Sequence, residues 1–337
     1  MRLRVGVVGL GPSWEKRYRS ALRALSDRFE VRAICEPVAL RASQVAREFN
    51  ASAVDGFRAL MRREDIDAVL ILSRQWFGSL PILAACDAHK SVFCCDGLEV
   101  DPELARRLRS RIEKAGIAFM AEFPRRHSPA TLRLKELIAT RLGPPKLLFC
   151  HARVPSGPSL ERAGGDGCSS NLHELVELVD WCRYVAGVDP TSVLGVVHGG
   201  LEASQGRDYQ MMSLDFSQED DPPGSVVAQV SCGRYIPATW HEAIGFRPPS
   251  ALQVVCERGM AFADLPASLV WFDNAGRHVE SLDSERPVGE TLLVQFHRGV
   301  TSLVLNSSGL EDAYKALSIV LAARRSHAEG RRIVLDL

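Results

Sequence analysis

No stretch of this chain approaches the ~18 consecutive apolar residues that a membrane span requires, and its opening apolar run is too short for a secretory core followed by a cleavage site. A membrane partner is therefore excluded, and a soluble cytoplasmic protein is expected. An excess of charge of one sign is missing too. Forty-one basic residues balance forty-one acidic ones with no basic stripe, so nucleic acid is not the main partner. Nine cysteines are present, but no CxxC or Cys/His spacing that would hold a metal. Their odd number and apolar settings point to reduced core thiols and no metal site. Adjacent strand residues point to opposite faces, so Cys94 and Cys95 are not expected to form an ordinary disulfide. Internal repeats and low-complexity tracts are absent. What remains is a chain of 337 residues, 46% hydrophobic, long and apolar enough for two domains with sizeable cores.

The organising stretch is the beginning, Arg4-Val5-Gly6-Val7-Val8-Gly9-Leu10-Gly11-Pro12-Ser13-Trp14. An apolar run that breaks into closely spaced glycines reads as a strand turning sharply into a helix. Gly9 and Gly11 leave no side chain between main chain and ligand, and a helix starting at Ser13 or Trp14 aims its first N–H groups at a phosphate. Trp14, Tyr18, Ala21, Leu22, Leu25 and Phe29 then share one helical face. A second apolar run, Val31 to Cys35, ends at Glu36, where a dinucleotide fold places its ribose-binding acid, about 20 residues after the glycine turn. That carboxylate accepts from a 2′-hydroxyl and repels a 2′-phosphate, which favours NAD over NADP. Trp14 occupies the third glycine position of the fingerprint. Its indole must either enter the nucleotide groove or push the helix outward.

Downstream, Ala51 to Val54, Ala68 to Leu72, Ser91 to Cys95 and Ile117 to Ala121 alternate with helical patterns, including Ala42, Val45, Ala46, Phe49 and Leu104, Leu108, Ile112. Six strands separated by helices describe a Rossmann-type, doubly wound parallel sheet over residues 1–121. Its ligand belongs outside the carboxyl ends of the strands. The loops from Leu10 to Trp14, Ser73 to Gly78 and Asp96 to Glu99 should line that site. The cofactor candidates are therefore Gly9, Gly11, Pro12, Ser13, Trp14, Glu36, Ser73, Arg74 and Trp76. Ser128-Pro129 opens a helix, and the junction falls just before it, near Glu122.

From 122 to 337 the strands no longer alternate with helices: 146–154, 192–198, 208–216, 225–235, 251–257, 260–264, 269–273 and 277–282. They describe an α+β domain around an open, mostly antiparallel sheet. One face is covered by helices and the other is left for a partner. The helix from about Asn171 to Val185 buries Leu172, Leu175, Val176, Val179 and Cys182, with His173, Glu177, Asp180 and Tyr184 on a polar ridge beside them. If the ridge meets the first domain, His173 and Glu177 can transfer protons. If it meets water, it is a solvated flank. Two further helical patterns, Leu292, Phe296, Val300, Leu303 and Ala313, Ala316, Leu317, Val320, Leu321, are expected to cover the sheet, and a short strand at 332–335 follows them.

The opening GLG turn, the acid ending strand two, DAVLIL, SVFCC, FPRRHSP and EDAYKALSIVLAARRSHAEGRRIVL, in this order and spacing, resemble the glucose-fructose oxidoreductase, inositol dehydrogenase and MocA (Gfo/Idh/MocA) family nearly end to end. The resemblance implies NAD(P)-dependent oxidation or reduction of a sugar, cyclitol or related carbonyl compound, and a homo-oligomer formed through the open sheet. It also implies that Arg125-Arg126 line the domain junction. The catalytic motifs depart from the family. Cys95-Asp96-Gly97 stands for Glu-Lys-Pro, and an ionised Asp96 would repel the charge growing on an alkoxide. Asp-x-Gly-x-His is also broken. Alignment on His173 puts Ser169 and Asn171 at the Asp and Gly positions, whereas alignment on Trp181 puts Glu174 at the His position and Glu177 at the later acid. The acid–base candidates are His173, whose ordinary pKa suits the task, Glu177 and Asp96. The competing functions are a dinucleotide-fold binding protein or partner subunit without hydride transfer, and an NAD-assisted elimination or hydrolysis of a sugar derivative.

Overall fold

A computed structural model describes residues 1–73, 77–95, 101–156, 167–198, 208–217, 226–237, 239–246, 249–302 and 308–337. The chain divides into two compact units, Met1–Pro124 with Arg286–Tyr314, and Arg125–Glu285 with Lys315–Leu337.

In the first unit β1 (Leu3–Val8), β2 (Phe29–Cys35), β3 (Ser52–Ala53), β4 (Ala68–Ile71), β5 (Ser91–Cys94) and β6 (Phe119–Ala121) form one sheet in the order β3-β2-β1-β4-β5-β6. Every neighbouring pair is parallel. Strands covered on both faces are apolar throughout, and β4 is buried at every residue. The order reverses between β1 and β4, which is where the expected doubly wound sheet opens its ligand crevice. A π-helical turn, Trp14–Tyr18, runs into α1 (Arg19–Ala24), and α2 (Ala39–Glu48), α3 (Phe57–Met61), α4 (Leu80–Asp87) and α5 (Pro102–Ala115) follow. Asp101 caps α5 by accepting from the Glu103 and Leu104 amides, and Gly116 ends it at φ 62°. The buried stripe of α5 is Ala105, Leu108 and Ile112, while Leu104 stands 47% exposed. The expected stripe was one residue off because Ala105 continues the spacing of Leu108 and Ile112 on the sheet side.

The second unit begins with α6 (Pro129–Leu137), capped by Ser128, whose Oγ accepts from the Thr131 amide. Then come β7 (Pro145–Ser156), α7 (Gly167–Ala186), β8 (Ser192–His198), β9 (Asp208–Asp215), β10 (Val227–Pro237), β11 (Leu252–Cys256), β12 (Gly259–Asp264), β13 (Ser268–Asp273) and β14 (Gly276–Ser281), followed by α8 (Val288–Thr301), α9 (Ser308–Glu329) and β15 (Ile333–Val334). The sheet order is β14-β13-β12-β11-β7-β10-β9-β8-β15. Among the described strands of this sheet only β7 and β10 run parallel to each other. Alternation decides the two faces. Leu148, Cys150, Ala228, Val230, Met212 and Leu214 are buried on one side, under α7 and the second half of α9, where the Gly195 amide donates to Ser326 Oγ at 3.0 Å. Leu147, Phe149, Leu194 and Val196 look outward on the other side and are exposed.

The two C-terminal helices were expected to cover this sheet together, but α8 belongs to the first unit. Leu292, Leu293 and Phe296 are buried in that unit's core, with Phe296 edge-on to Phe93 of β5 at 5.6 Å. A Cβ on Gly289 would lie 2.9 Å from the Arg17 carbonyl oxygen, so glycine lets α8 approach this closely.

Candidate functional site

Above the carboxyl ends of β1 and β2 lies a cleft of about 270 Å³, lined by Leu10, Gly11, Pro12, Glu15, Glu36, Arg41 and Ser73. Gly9, at φ +76°, makes the turn and donates its amide to the Cys35 carbonyl at 2.9 Å, tying β1 to the end of β2. Both glycines are forced by contact. A Cβ on Gly9 would fall 2.8 Å from the Ser73 carbonyl oxygen, and one on Gly11 would fall 2.9 Å from the Leu72 carbonyl oxygen. Glu36 stands at the end of β2, and its Oε2 accepts from the Leu10 amide at 2.7 Å. The acid expected to meet a ribose is thereby locked to the glycine turn. Arg41, from the first turn of α2, is the one cation among the described residues of the cleft lining and sits 3.8 Å from Glu15.

The Trp14 indole is fully buried in the core of the first unit and meets Phe49 edge-on at 5.6 Å. Trp14 is therefore not a cleft residue by its side chain, a correction to the expectation. Its amide is committed as well, donating to the Gly11 carbonyl at 3.0 Å. The helix accommodates the ring by opening at this point, where the Arg19 amide reaches back five residues to the Trp14 carbonyl. Widening of this kind marks a π-turn, which inserts room into an α-helix. The indole Nε1 is buried without a hydrogen-bond partner.

In the second unit the polar ridge of α7 is sewn to the segment just after the junction. Arg125 donates to Glu174 and to Glu177, the latter at 3.0 Å. Burial lowers the Arg125 pKa, and the charges of Glu177 and Glu174 more than reverse this, leaving it above the ordinary arginine value. Arg126 grips Asp180 with two bonds and lies over the Tyr184 ring, 5.3 Å from its centroid. The solvated-flank reading fails because these guanidinium groups occupy the ridge. His173 is half-buried on the same helix. His127, next to Arg126, has its pKa pushed down to about 4 by burial and by that neighbouring charge.

The structure thus brings Gly9, Gly11, Pro12, Glu36 and Ser73 together at one cleft, with Ser13 at the head of the first helix, and separately places His173 and Glu177 on α7. Arg74, Trp76 and Asp96 lie outside the described residues. Sequence reasoning missed Arg41 and Glu15 at the cleft. It also missed Glu122, which is buried and accepts from the Tyr18 hydroxyl at 2.6 Å and from Arg17. A paired Arg-Arg opposite acids at i and i+3, Glu174 and Glu177, was the available signal for the second cluster. The eight cysteines whose side chains are described are all buried and unbridged. Among the described residues no group of His, Cys, Asp and Glu is arranged to hold a metal ion, and no helix is long and apolar enough to cross a membrane.

A parallel sheet with a glycine turn and a terminal acid on its second strand defines a dinucleotide-type fold in the first unit, and the second unit is built on an open-faced, mostly antiparallel sheet. Residues 3–123 match the family model described as an oxidoreductase family with an NAD-binding Rossmann fold. That model is of the Gfo/Idh/MocA family, and the likeness covers the part of the chain that holds the parallel sheet and the glycine turn. An inositol 2-dehydrogenase of Cereibacter sphaeroides is 30% identical over 186 residues, 54% of each chain. Another, from Rhodococcus erythropolis, is 24% identical over 84% of this chain and 81% of its own. The chain spans about half the length of the first curated relatives it matches. Among solved structures, an aldose-aldose oxidoreductase from Caulobacter crescentus, complexed with glycerol, shares the fold with a TM-score of 0.79 at 16% identity, covering 99% of this chain and 100% of that one. An NAD binding oxidoreductase from Klebsiella pneumoniae gives 0.79 at 17% identity, covering 100% and 99%.

Proposed function

We propose that the protein is an NAD-dependent oxidoreductase acting on a hydroxyl or carbonyl group of a sugar, a cyclitol or a related compound. The observation that carries this reading is the Glu36 carboxylate, held at the cleft by the Leu10 amide at 2.7 Å and presenting acceptors to ribose hydroxyls. The residues fit the cofactor. Gly9, Leu10 and Trp14 each commit their amides within the protein, and Pro12 has none, so Gly11 and Ser13 are the amides offered to a diphosphate. Glu36 and Glu15 make the cleft unwelcoming to a further phosphate on the ribose, which favours NAD over NADP. When bound, NAD supplies or accepts the hydride. His173, with Glu177 and Asp96, is assigned the proton traffic at the substrate oxygen. The inositol dehydrogenases among the relatives support a polyol-like substrate class, and buried thiols suit a reducing cytoplasm. The exposed apolar face of the sheet is assigned to a second copy of the chain.

A second reading, a partner subunit or sensor that binds the dinucleotide without turnover, is favoured by two observations. Asp96 stands where the family keeps lysine, and Arg125 is shared by Glu174 and Glu177. Equilibrium binding of NAD and NADP, followed by a polyol and sugar panel read by reduced-nicotinamide absorbance, separates the two readings. Binding of NAD with turnover of at least one polyol or sugar is the expected result. NAD binding with no turnover across the panel assigns the second reading, and failure to bind either nucleotide defeats both.

A further inference from the structure

Arg125, Arg126 and Arg183 are withdrawn from solvent, and each meets a carboxylate: Glu174 and Glu177, Asp180, and Asp189 respectively. Arg234 does not. It is 9% exposed, makes no hydrogen bond or ion pair among the described residues, and its Nε is sealed from water without an acceptor. A guanidinium keeps its charge, and with no carboxylate among its described neighbours its terminal nitrogens remain available to an incoming acceptor. Its planar fork is complementary to a carboxylate or a phosphate.

The fold puts this unmatched charge at one end of the second unit. Ala228, Val230 and Cys232 precede Arg234 at alternate positions of β10, all buried on the helix-covered side, so Arg234 continues that row. The link 187–191 joins the end of α7 to Ser192, whose register partner is Asp215, itself paired with Val227 at the start of β10. The twenty residues of α7 rise roughly 30 Å, about the length of the strands α7 packs on, β7 and β10. The first turns of α7, with His173 and Glu174, therefore stand at the same end as Arg234. Gln210, the register partner of Cys232, is buried there and accepts from Arg324 Nε at 3.3 Å, which adds a second guanidinium and a carboxamide one residue pair away. The register partner of Arg234 itself is Asp208.

We propose that Arg234 receives an oxyanion carried by the substrate, so that the substrate is an acidic sugar derivative bearing a carboxylate or a phosphate rather than a neutral polyol. This rests on the reading of the chain as a sugar-active oxidoreductase. It is tested apart from that reading by binding measured without turnover.

Thermal melting and calorimetric titration of the full chain with glucuronate, glucose 6-phosphate, glucose and myo-inositol are compared for wild type, Arg234→Lys, Arg234→Met and Asp208→Asn, with NAD binding measured in parallel. One of the two acids is expected to raise the wild-type melting temperature and to bind, its identity separating carboxylate from phosphate, while the neutral compounds do neither. Arg234→Met should bind that acid at least about tenfold more weakly and, unliganded, melt no lower than wild type, because no carboxylate partner is left behind. Arg234→Lys should retain part of the affinity. The proposal is overturned if neither acid binds, if the acid binds Arg234→Met as well as wild type, if neutral sugars bind as tightly, or if unliganded Arg234→Met and Asp208→Asn both melt lower, which would mark a structural ion pair. Loss of NAD binding with acid recognition intact defeats the oxidoreductase reading and leaves Arg234 as an anion receptor.

Discussion

On the proposed function Glu36 has two tasks at one carboxylate: Oε2 fastens the glycine turn through the Leu10 amide, and the group as a whole sets the charge that a ribose would meet. Replacing Glu36 with serine removes both, and leaves Arg41 facing one carboxylate, Glu15, instead of two among the described residues of the lining. Hydrogen bonds to charged groups contribute about 1.5–3 kcal/mol. NAD affinity of Glu36→Ser should therefore fall about 10- to 100-fold, with NADP becoming the tighter ligand, and Arg41→Ala in the same background should cancel that gain. Titration of both nucleotides against the variants reads this directly, and an unchanged NAD/NADP ratio would confine Glu36 to holding the turn. The positions of Gly9, Gly11 and Glu36 were legible from spacing alone, because strand, turn and acid are local features. The contact that compels the glycines was not. Leu72 and Ser73, just after β4, press against both of them, the Ser73 backbone and Cβ on Gly9 and the Leu72 carbonyl with the Ser73 side chain on Gly11, and no local pattern announces a neighbour so far along the chain.

At the scale of elements, the first helix and α7 both depart from simple periodicity for a packing reason. Trp14 lies on the correct stripe, but its ring fits only because the first turn is π-helical. The α7 ridge was legible as a ridge. What it faces depended on Arg125 and Arg126 folding back onto it, a tertiary event beyond the reach of spacing. The same segment carries an acid-sensitive joint at His127. Its pKa, about 4 in the fold through burial and the Arg126 charge, rises to about 6.5 in the unfolded chain, so the unfolded state takes the proton first as pH falls. The stabilisation is complete above pH ~6.5, declines between there and pH ~4, and levels off below, for a loss of at most about 3 kcal/mol. His127→Asn should flatten the stability profile in that window relative to wild type, as urea denaturation at several pH values will measure. An unaltered profile would mean that other groups account for the acid sensitivity.

At the scale of the whole molecule, the chain enters the second unit after Pro124, returns to the first for Arg286–Tyr314, and leaves again into the last part of α9. A split at a single point would have kept α8 with the second sheet. The helix instead follows its own apolar face, through Leu292, Leu293 and Phe296, into the first core. Apart from α8, it is α7 and the second half of α9 that cover one side of the second sheet. Leu147 and Phe149 on β7 and Leu194 and Val196 on β8, each 39–44% exposed, share the other side with Val279 of β14 at 63%. Scattered exposed apolar residues are ordinary, whereas a row of them across several strands of one face marks a contact surface. If that surface pairs with its own copy, the interface is isologous and each substitution counts twice. Phe149→Glu with Val196→Glu places four new carboxylates in the interface of a dimer while touching no buried side chain, so the monomer fold should survive. Sedimentation velocity should show wild type as an oligomer and the double variant as a monomer with an unchanged circular dichroism spectrum. A wild type that stays monomeric at every concentration, or a double variant that stays assembled, would remove this face from the assembly.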